Sequence, residues 1–189
     1  MATSPIDLTT LANVKQWLKI DPAMTDDDVL LQRLITAISG FIQTWLNRSF
    51  AITPYIETLD GKGKTRMMCS NYPVTAVAGV TINGQPVPAS ADIFSPGYYF
   101  DQYKIGLRSF CFVKGESNVV LSYSAGFANT PPEIEQACIE TIALRYSEKD
   151  RVGYSSKTLA GETVAFTITD FPKSAMTVMN NYKKVIPTS

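Results

Sequence analysis

The chain reads as α+β, a small bundle of about four helices interrupted by an antiparallel β-rich insertion. Apolar residues recur at three-and-four spacing in two stretches near the N-terminus and two near the C-terminus. Between them, from Phe50 to about Phe127, the texture changes to short β-prone runs bounded by glycine, proline and asparagine. No helix-period segment separates those runs, so their connections should be mostly antiparallel, in a small sheet or open barrel. The expected organisation is residues 1–51 and 126–189 as a helical core and 52–125 as the insertion, together one compact domain with an elaboration.

The first helix is expected near Thr9–Lys19, with Leu11, Val14, Trp17 and Leu18 at helical spacing and Asp21-Pro22 ending it. The longest one follows over Asp26–Arg48, capped by Thr25 and carrying Asp26, Asp27 and Asp28 in its first turn, where carboxylates meet unpaired amides. Its apolar face exceeds what one short helix could cover, so other elements or a second subunit must pack on it. The first helix should form an antiparallel or steeply crossed pair with it, Trp17 lying against that face.

In the insertion, Ile52–Leu59 and Thr65–Ser70 flank Asp60-Gly61-Lys62-Gly63, which reads as a hairpin turn, and Val74–Ile82 ends at Asn83-Gly84, the strongest short hairpin signal. Further strands are expected near Tyr98–Asp101, Gly106–Val113 and Asn118–Ser124. Tyr98, Tyr99, Phe100 and Tyr103 crowd one turn region, either as edge packing of a small sheet or as an intersubunit contact.

Helix returns at Thr130-Pro131-Pro132-Glu133, read as a capping box with Pro131 in the first turn. Ile134, Ala137, Cys138, Thr141, Ile142 and Arg145 then follow one stripe. A polar loop, Tyr154–Glu162, leads to a strand over Thr163–Thr169. Asp170-Phe171-Pro172 opens a last amphipathic helix with Met176, Met179 and Tyr182. Core residues are expected to include Trp17, Leu34, Ile38, Phe41, Trp45 and Ile142.

Charge and chemistry restrict function. The 189 residues hold 17 basic and 17 acidic side chains, so nothing in the net charge demands a polyanionic partner. Cys69, Cys111 and Cys138 are far apart and odd in number, as expected of reduced, buried thiols in a cytoplasmic setting. No signal pattern opens the chain and no apolar run approaches the roughly 20 residues that span a bilayer. There is no histidine, which removes the usual general base, proton shuttle and metal ligand and weighs against an enzyme. Gly63-Lys64-Thr65 matches the end of a phosphate-binding loop, but Thr58 stands where that loop needs glycine and β residues follow it. Asp26-Asp27-Asp28 point in different directions around a helix, and suit its dipole better than a cation. Ser155-Ser156-Lys157 lacks the spacing of a serine–lysine catalyst and reads as a polar loop. No catalytic residue, cofactor or metal site is therefore assigned.

The order of elements and a set of local phrases resemble the head–tail connector (head completion, adaptor) proteins of long-tailed bacteriophages. The phrases are LTTLANVKQWLKI, DDDVLLQRLITAISGFIQTWLNRSF, SNYPVTAVAGVTINGQPV and, most distinctive, Tyr123 to Phe166. The resemblance spans nearly the whole chain, which departs from compact family members in the size of its Ile52–Ser124 region. What the resemblance implies is a non-enzymatic virion protein, present in host cytoplasm during assembly. It would form a homo-oligomeric ring, commonly twelvefold, below the portal protein, prolong the DNA channel without sequence-specific DNA binding, and receive a tail-completion or stopper protein. The family pattern would place the helices at subunit contacts, the loop with Arg151, Tyr154, Ser155, Ser156 and Lys157 toward the channel or a neighbour, and Tyr182, Lys183, Lys184, Val185 and Ile186 toward the portal; the residues themselves leave two readings of this last segment, a helix packed on the bundle or a stretch loose from Tyr182 onward that orders on docking. The competing reading is a DNA-contacting or regulatory module using Arg145, Lys149, Arg151 and Lys157, and a third is a small hydrolase.

Overall fold

Helix-forming residues at the two ends of the chain and β-forming residues in its middle separate into two units in the computed structural model. It describes residues 4, 6–149, 156–159, 162–165 and 171–184, the two ribbon segments 156–159 and 162–165 by backbone alone. One unit comprises Met1–Arg48 and Thr130–Lys184; the other is built on Ser49–Asn129.

The helical unit holds α1 (Leu11–Leu18), α2 (Asp28–Leu46), α3 (Pro132–Ser147) and α4 (Lys173–Asn180). Thr10 caps α1 by accepting the Asn13 N–H at 3.3 Å. The inward stripe of α1 runs through Leu11, Val14, Lys15 and Leu18. Trp17 lies off that stripe and is 51% exposed, contrary to its expected place in the core. In α2 the buried face is Leu31, Ile35, Ile38, Ser39, Ile42 and Leu46. Leu34 and Trp45 are half-buried beside it, and Phe41 is exposed but stacks on Phe171 at 4.8 Å between ring centroids. Thr25 does not cap α2. Asp27 takes that position with no side-chain cap bond, and Thr25 contributes only its carbonyl to the Asp28 N–H at 3.1 Å. By length and composition alone α2 could cross a membrane, contrary to the expectation that no run approached that length. Its buried stripe packs on other helices, α3 among them, as a core helix does.

The box expected at Thr130–Glu133 is also absent. Pro131 is the N-cap and Pro132 starts α3, because proline's fixed φ suits a first turn whose N–H would be unpaired anyway. Ile134, Ala137, Cys138, Ile139, Thr141 and Ile142 face inward. Residues 154–162 are not all loop: β8 (Ser156–Leu159) pairs antiparallel with β9 (Glu162–Ala165).

The β unit contains a four-stranded antiparallel sheet in the order β1 (Thr53–Gly61), β7 (Gly115–Ala125), β3 (Val74–Ile82), β4 (Gln85–Val87). A second sheet has the order β2 (Arg66–Met68), β6 (Lys104–Arg108), β5 (Gly97–Phe100). Asn83 (φ 50°) and Gly84 (φ 77°) make the β3–β4 turn as the sequence predicts. The hairpin expected at Asp60–Gly63 does not form, since β1 pairs with β7 and β2 with β6. Gly61 instead permits a close crossing; a Cβ there would fall 1.8 Å from the Val113 carbonyl oxygen. The chain then changes sheets through paired bonds between Gly63, Lys64 and Phe112. The strand expected over Gly106–Val113 is displaced to Lys104–Arg108.

The inner face of the larger sheet, with Val80, Val119, Leu121 and Tyr123, packs with Ile105, Leu107 and Phe112. Burial pushes the thiols of Cys69 and Cys138 up to about 12, in the β and helical units respectively. Cys111 is exposed, contrary to the expectation of three buried thiols.

Candidate assembly surfaces

Polar side chains of the helical unit close on one another. Lys15, buried on α1, reaches Asp28 Oδ1 of α2 at 2.5 Å and donates to the carbonyls of Met24 (2.6 Å) and Pro22 (3.3 Å). One ammonium thereby holds the connection between α1 and α2. The neighbouring Asp27 accepts the Tyr146 hydroxyl of α3 and lies 3.6 Å from Lys149 Nζ. The Tyr146 hydrogen bond, followed by Lys149, holds the Asp27 carboxyl below the usual range. Glu135 on α3 accepts from Thr9 (3.0 Å) and Asn13 (2.6 Å). The acidic run thus joins helices by two of its carboxylates diverging toward separate cations, and no metal-holding group of side chains occurs among the described residues.

The C-terminal segment is pinned as far as it is described. Tyr182 donates its hydroxyl to Glu133 Oε2 at 3.2 Å, and Arg48 Nη1 donates to the Tyr182 carbonyl at 3.1 Å. The Lys184 N–H reaches the Leu46 carbonyl at 3.1 Å, satisfying an end of α2, and Lys183 Nζ sits 5.0 Å from the Trp45 ring centre. Tyr182, Lys183 and Lys184 are therefore not loose, because helix-end carbonyls and a half-buried indole give them partners. Val185 and Ile186 lie outside the described residues, as do Arg151, Tyr154 and Ser155. Ser156 and Lys157 belong to β8.

The competing phosphate surface loses two members. Arg145 pairs with Glu148 at 3.6 Å, and Lys149 with Asp27 besides resting 4.1 Å from the Tyr146 ring centre. Lys64 of the Gly63-Lys64-Thr65 phrase bridges to Phe112 in a β context, with no helix following.

The β unit presents the opposite character. On the outer face of its larger sheet, register aligns Pro54–Ser124–Ala76, Ile56–Ser122–Gly79 and Thr58–Val120–Thr81 across β1, β7 and β3. None of the nine is charged. Ile56 is 77% exposed, and a Cβ added at Gly79 would meet nothing within 4 Å. An open antiparallel sheet face ordinarily carries polar, often charged side chains.

The loop between β4 and β5 carries the most exposed large apolar side chain among the described residues. Ile93 and Phe94 are 69% and 87% exposed at its tip. Asp92 Oδ1 accepts the N–H groups of Phe94 and Ser95, both at 2.7 Å, and these bonds hold its carboxyl below the usual range. Ser90 Oγ lies within hydrogen-bond reach of the Asp92 (2.6 Å) and Ser95 (2.7 Å) carbonyls, to either of which its one proton can be donated. Arg108 Nη1 reaches Ser90 Oγ at 2.9 Å and the Asp92 carbonyl at 3.1 Å, its guanidinium 4.3 Å from the Tyr99 ring centre. Sequence reasoning did not single out this tip. The available signal was Ile-Phe isolated within Pro88–Gly97, a stretch of small, polar and turn-forming residues that no strand pattern absorbs.

Among the described residues, four helices, two antiparallel sheets and the β8–β9 ribbon make an α+β fold. The family model for head completion proteins matches residues 7–185, and the chain belongs to that family. The fold is also similar to a chain in the neck of the native gene transfer agent particle solved with C12 symmetry, at 17% identity and a TM-score of 0.55. It resembles equally a chain in the neck of the empty particle solved with C6 symmetry (16%, 0.56) and one in the virion of the native particle (15%, 0.57). Each likeness covers 98% of this chain and 93% of the other. No curated protein matches.

Proposed function

We propose that this chain is a non-enzymatic connector that assembles into a closed ring at the neck of a virion, below the portal, and prolongs the channel through which DNA passes. The supporting observation is the likeness of fold, along nearly the entire chain, to neck chains of particles solved with cyclic symmetry. A cyclic ring needs two dissimilar surfaces on each subunit and no catalytic residue. Balanced charge suits a conduit that must let DNA slide, since each phosphate contact would strengthen retention. The subunit would assemble from host cytoplasm onto the portal and then receive a tail-completion or stopper protein. Portal docking falls to the C-terminal segment, with Tyr182, Lys183 and Lys184 acting as part of an ordered surface and Val185 and Ile186 continuing it. The β8–β9 ribbon, with Ser156 and Lys157, and the adjoining Arg151, Tyr154 and Ser155 face the channel or a neighbour.

Native mass spectrometry with negative-stain imaging of the purified protein, alone and with portal, tests this reading. Closed rings, in solution or on the portal, are expected. A chain that stays monomeric at every concentration and binds no portal overturns it.

A further inference from the structure

We infer that adjacent subunits are joined through the β unit, the Ile93–Phe94 tip of one copy seating on the uncharged outer sheet face around Ile56 and Ser122 of the next. The inference rests on the ring reading and names its contact. Three observations carry it.

The tip is built to stay exposed. A Phe at 87% exposure on a loose loop could fold back onto its own unit, but this loop is cross-braced by Asp92, Ser90 and Arg108. An apolar anchor ordered before binding loses little further conformational freedom when it docks. The receiving face suits such an anchor. Charged residues are depleted from interface cores because their desolvation is costly, and the three aligned rows contain none. Gly79, paired with Ser122 beside the prominent Ile56, leaves open space above the sheet where a side chain would stand.

Topology supplies the third observation. In the order β1-β7-β3-β4, Ile56 lies on one edge strand, and the tip's loop leaves the strand at the other edge. The tip thus leaves from the edge opposite Ile56. Tip and face join copies head to tail, the heterologous geometry that closes rings. The occupant that the chain itself provides for this face is therefore a second copy.

Two variants test the contact, Phe94→Asp on the tip and Ser122→Arg on the face. Both sites are on the surface of the β unit, so circular dichroism and melting temperature should match wild type, and variants that fail this check are replaced by Phe94→Ser and Thr58→Arg. Each variant alone should raise the concentration needed for half-assembly by about thirty-fold or more, the loss expected of an aromatic anchor. Mixed together, they should form a 1:1 dimer that grows no further, because the Ser122→Arg chain keeps its tip and the Phe94→Asp chain keeps its face. Rings formed by either variant as readily as by wild type would overturn this contact while leaving the ring reading intact. A mixture that stays monomeric would exclude the pairing of tip with face. Wild-type chains that form no rings, even on the portal, would overturn both.

Discussion

The two units differ in where their polar side chains point. In the helical unit, Lys15, Asp27, Asp28, Glu135 and Tyr146 bond to other helices or to the connection between them, so the unit's geometry is fixed from within. In the β unit, three uncharged rows of a sheet face and a braced apolar tip are left toward solvent. The difference teaches that apolar helix content alone is a poor guide to an assembly surface. Most of the wide face of α2 finds its cover inside its own unit, including Phe171 against Phe41 and Trp45, although Val29 and part of Phe41 stay exposed. The surface we infer for a neighbouring copy lies where the sequence showed only ordinary strands.

The comparison is most severely tested inside the helical unit. Ile142→Ala, at a fully buried position on α3, should lower unfolding free energy by about 2–5 kcal/mol in urea titration. A loss below roughly 1 kcal/mol would mean that the helices do not form a tight core on their own.

Next in size is Lys15→Met, which leaves Asp28 without its cation and two carbonyls without a donor. Breaking a buried pair costs roughly 3–5 kcal/mol, and since Asp28 keeps some water contact the loss should lie near the lower figure, about 3. The double variant with Asp28→Leu should recover part of it. If the single variant is as stable as wild type, the ammonium is not what holds the α1–α2 connection.

A smaller effect separates pH dependence from packing. Asp27 titrates below its ordinary value in the folded state, so its contribution is present above the unfolded pKa, near 3.8, and is lost as pH falls through the lower folded value. Tyr146→Phe removes the main cause, and should raise the Asp27 pKa and remove part of the stability loss between neutral pH and about pH 3. Carboxylate NMR titration of both proteins checks this. An unmoved Asp27 would place the cause elsewhere, with Lys149.

Thiol reactivity gives the least perturbing comparison. Cys111 should react with a disulfide reagent at once in native protein, whereas Cys69 and Cys138 should react only on unfolding. Three fast thiols would contradict the buried cores of both units.

What was legible in the sequence follows from how local each signal is. Helix periodicity on α2 and α3, the Asn83-Gly84 turn and the two-part division are written in neighbouring residues and can be read from them. Asp60–Gly63 failed because its glycines serve a close crossing and a change of sheet, and the strand that accepts β1 lies more than fifty residues away. Trp17 failed because the inward place beside Val14 went to Lys15, an assignment that depends on Asp28 and two carbonyls from another segment. Whether Tyr182–Lys184 pack or stay loose could not be decided locally, because their partners, Glu133, Arg48 and Leu46, lie about fifty or more residues away in sequence. The exposed tip escaped notice since exposure itself has no sequence signature. Its brace needs Arg108, fourteen residues beyond Phe94 and on another strand.

We infer that the β unit rather than the helical unit carries the subunit contact. The most direct test is native mass spectrometry of wild type, Trp17→Ala and Phe94→Asp at matched concentrations. Trp17 is the exposed aromatic of α1, and its loss should change stability by less than about 0.5 kcal/mol and leave ring mass intact. Phe94→Asp should leave folding intact and give monomers. Rings from Phe94→Asp together with monomers from Trp17→Ala would place the contact on the helices and contradict the account.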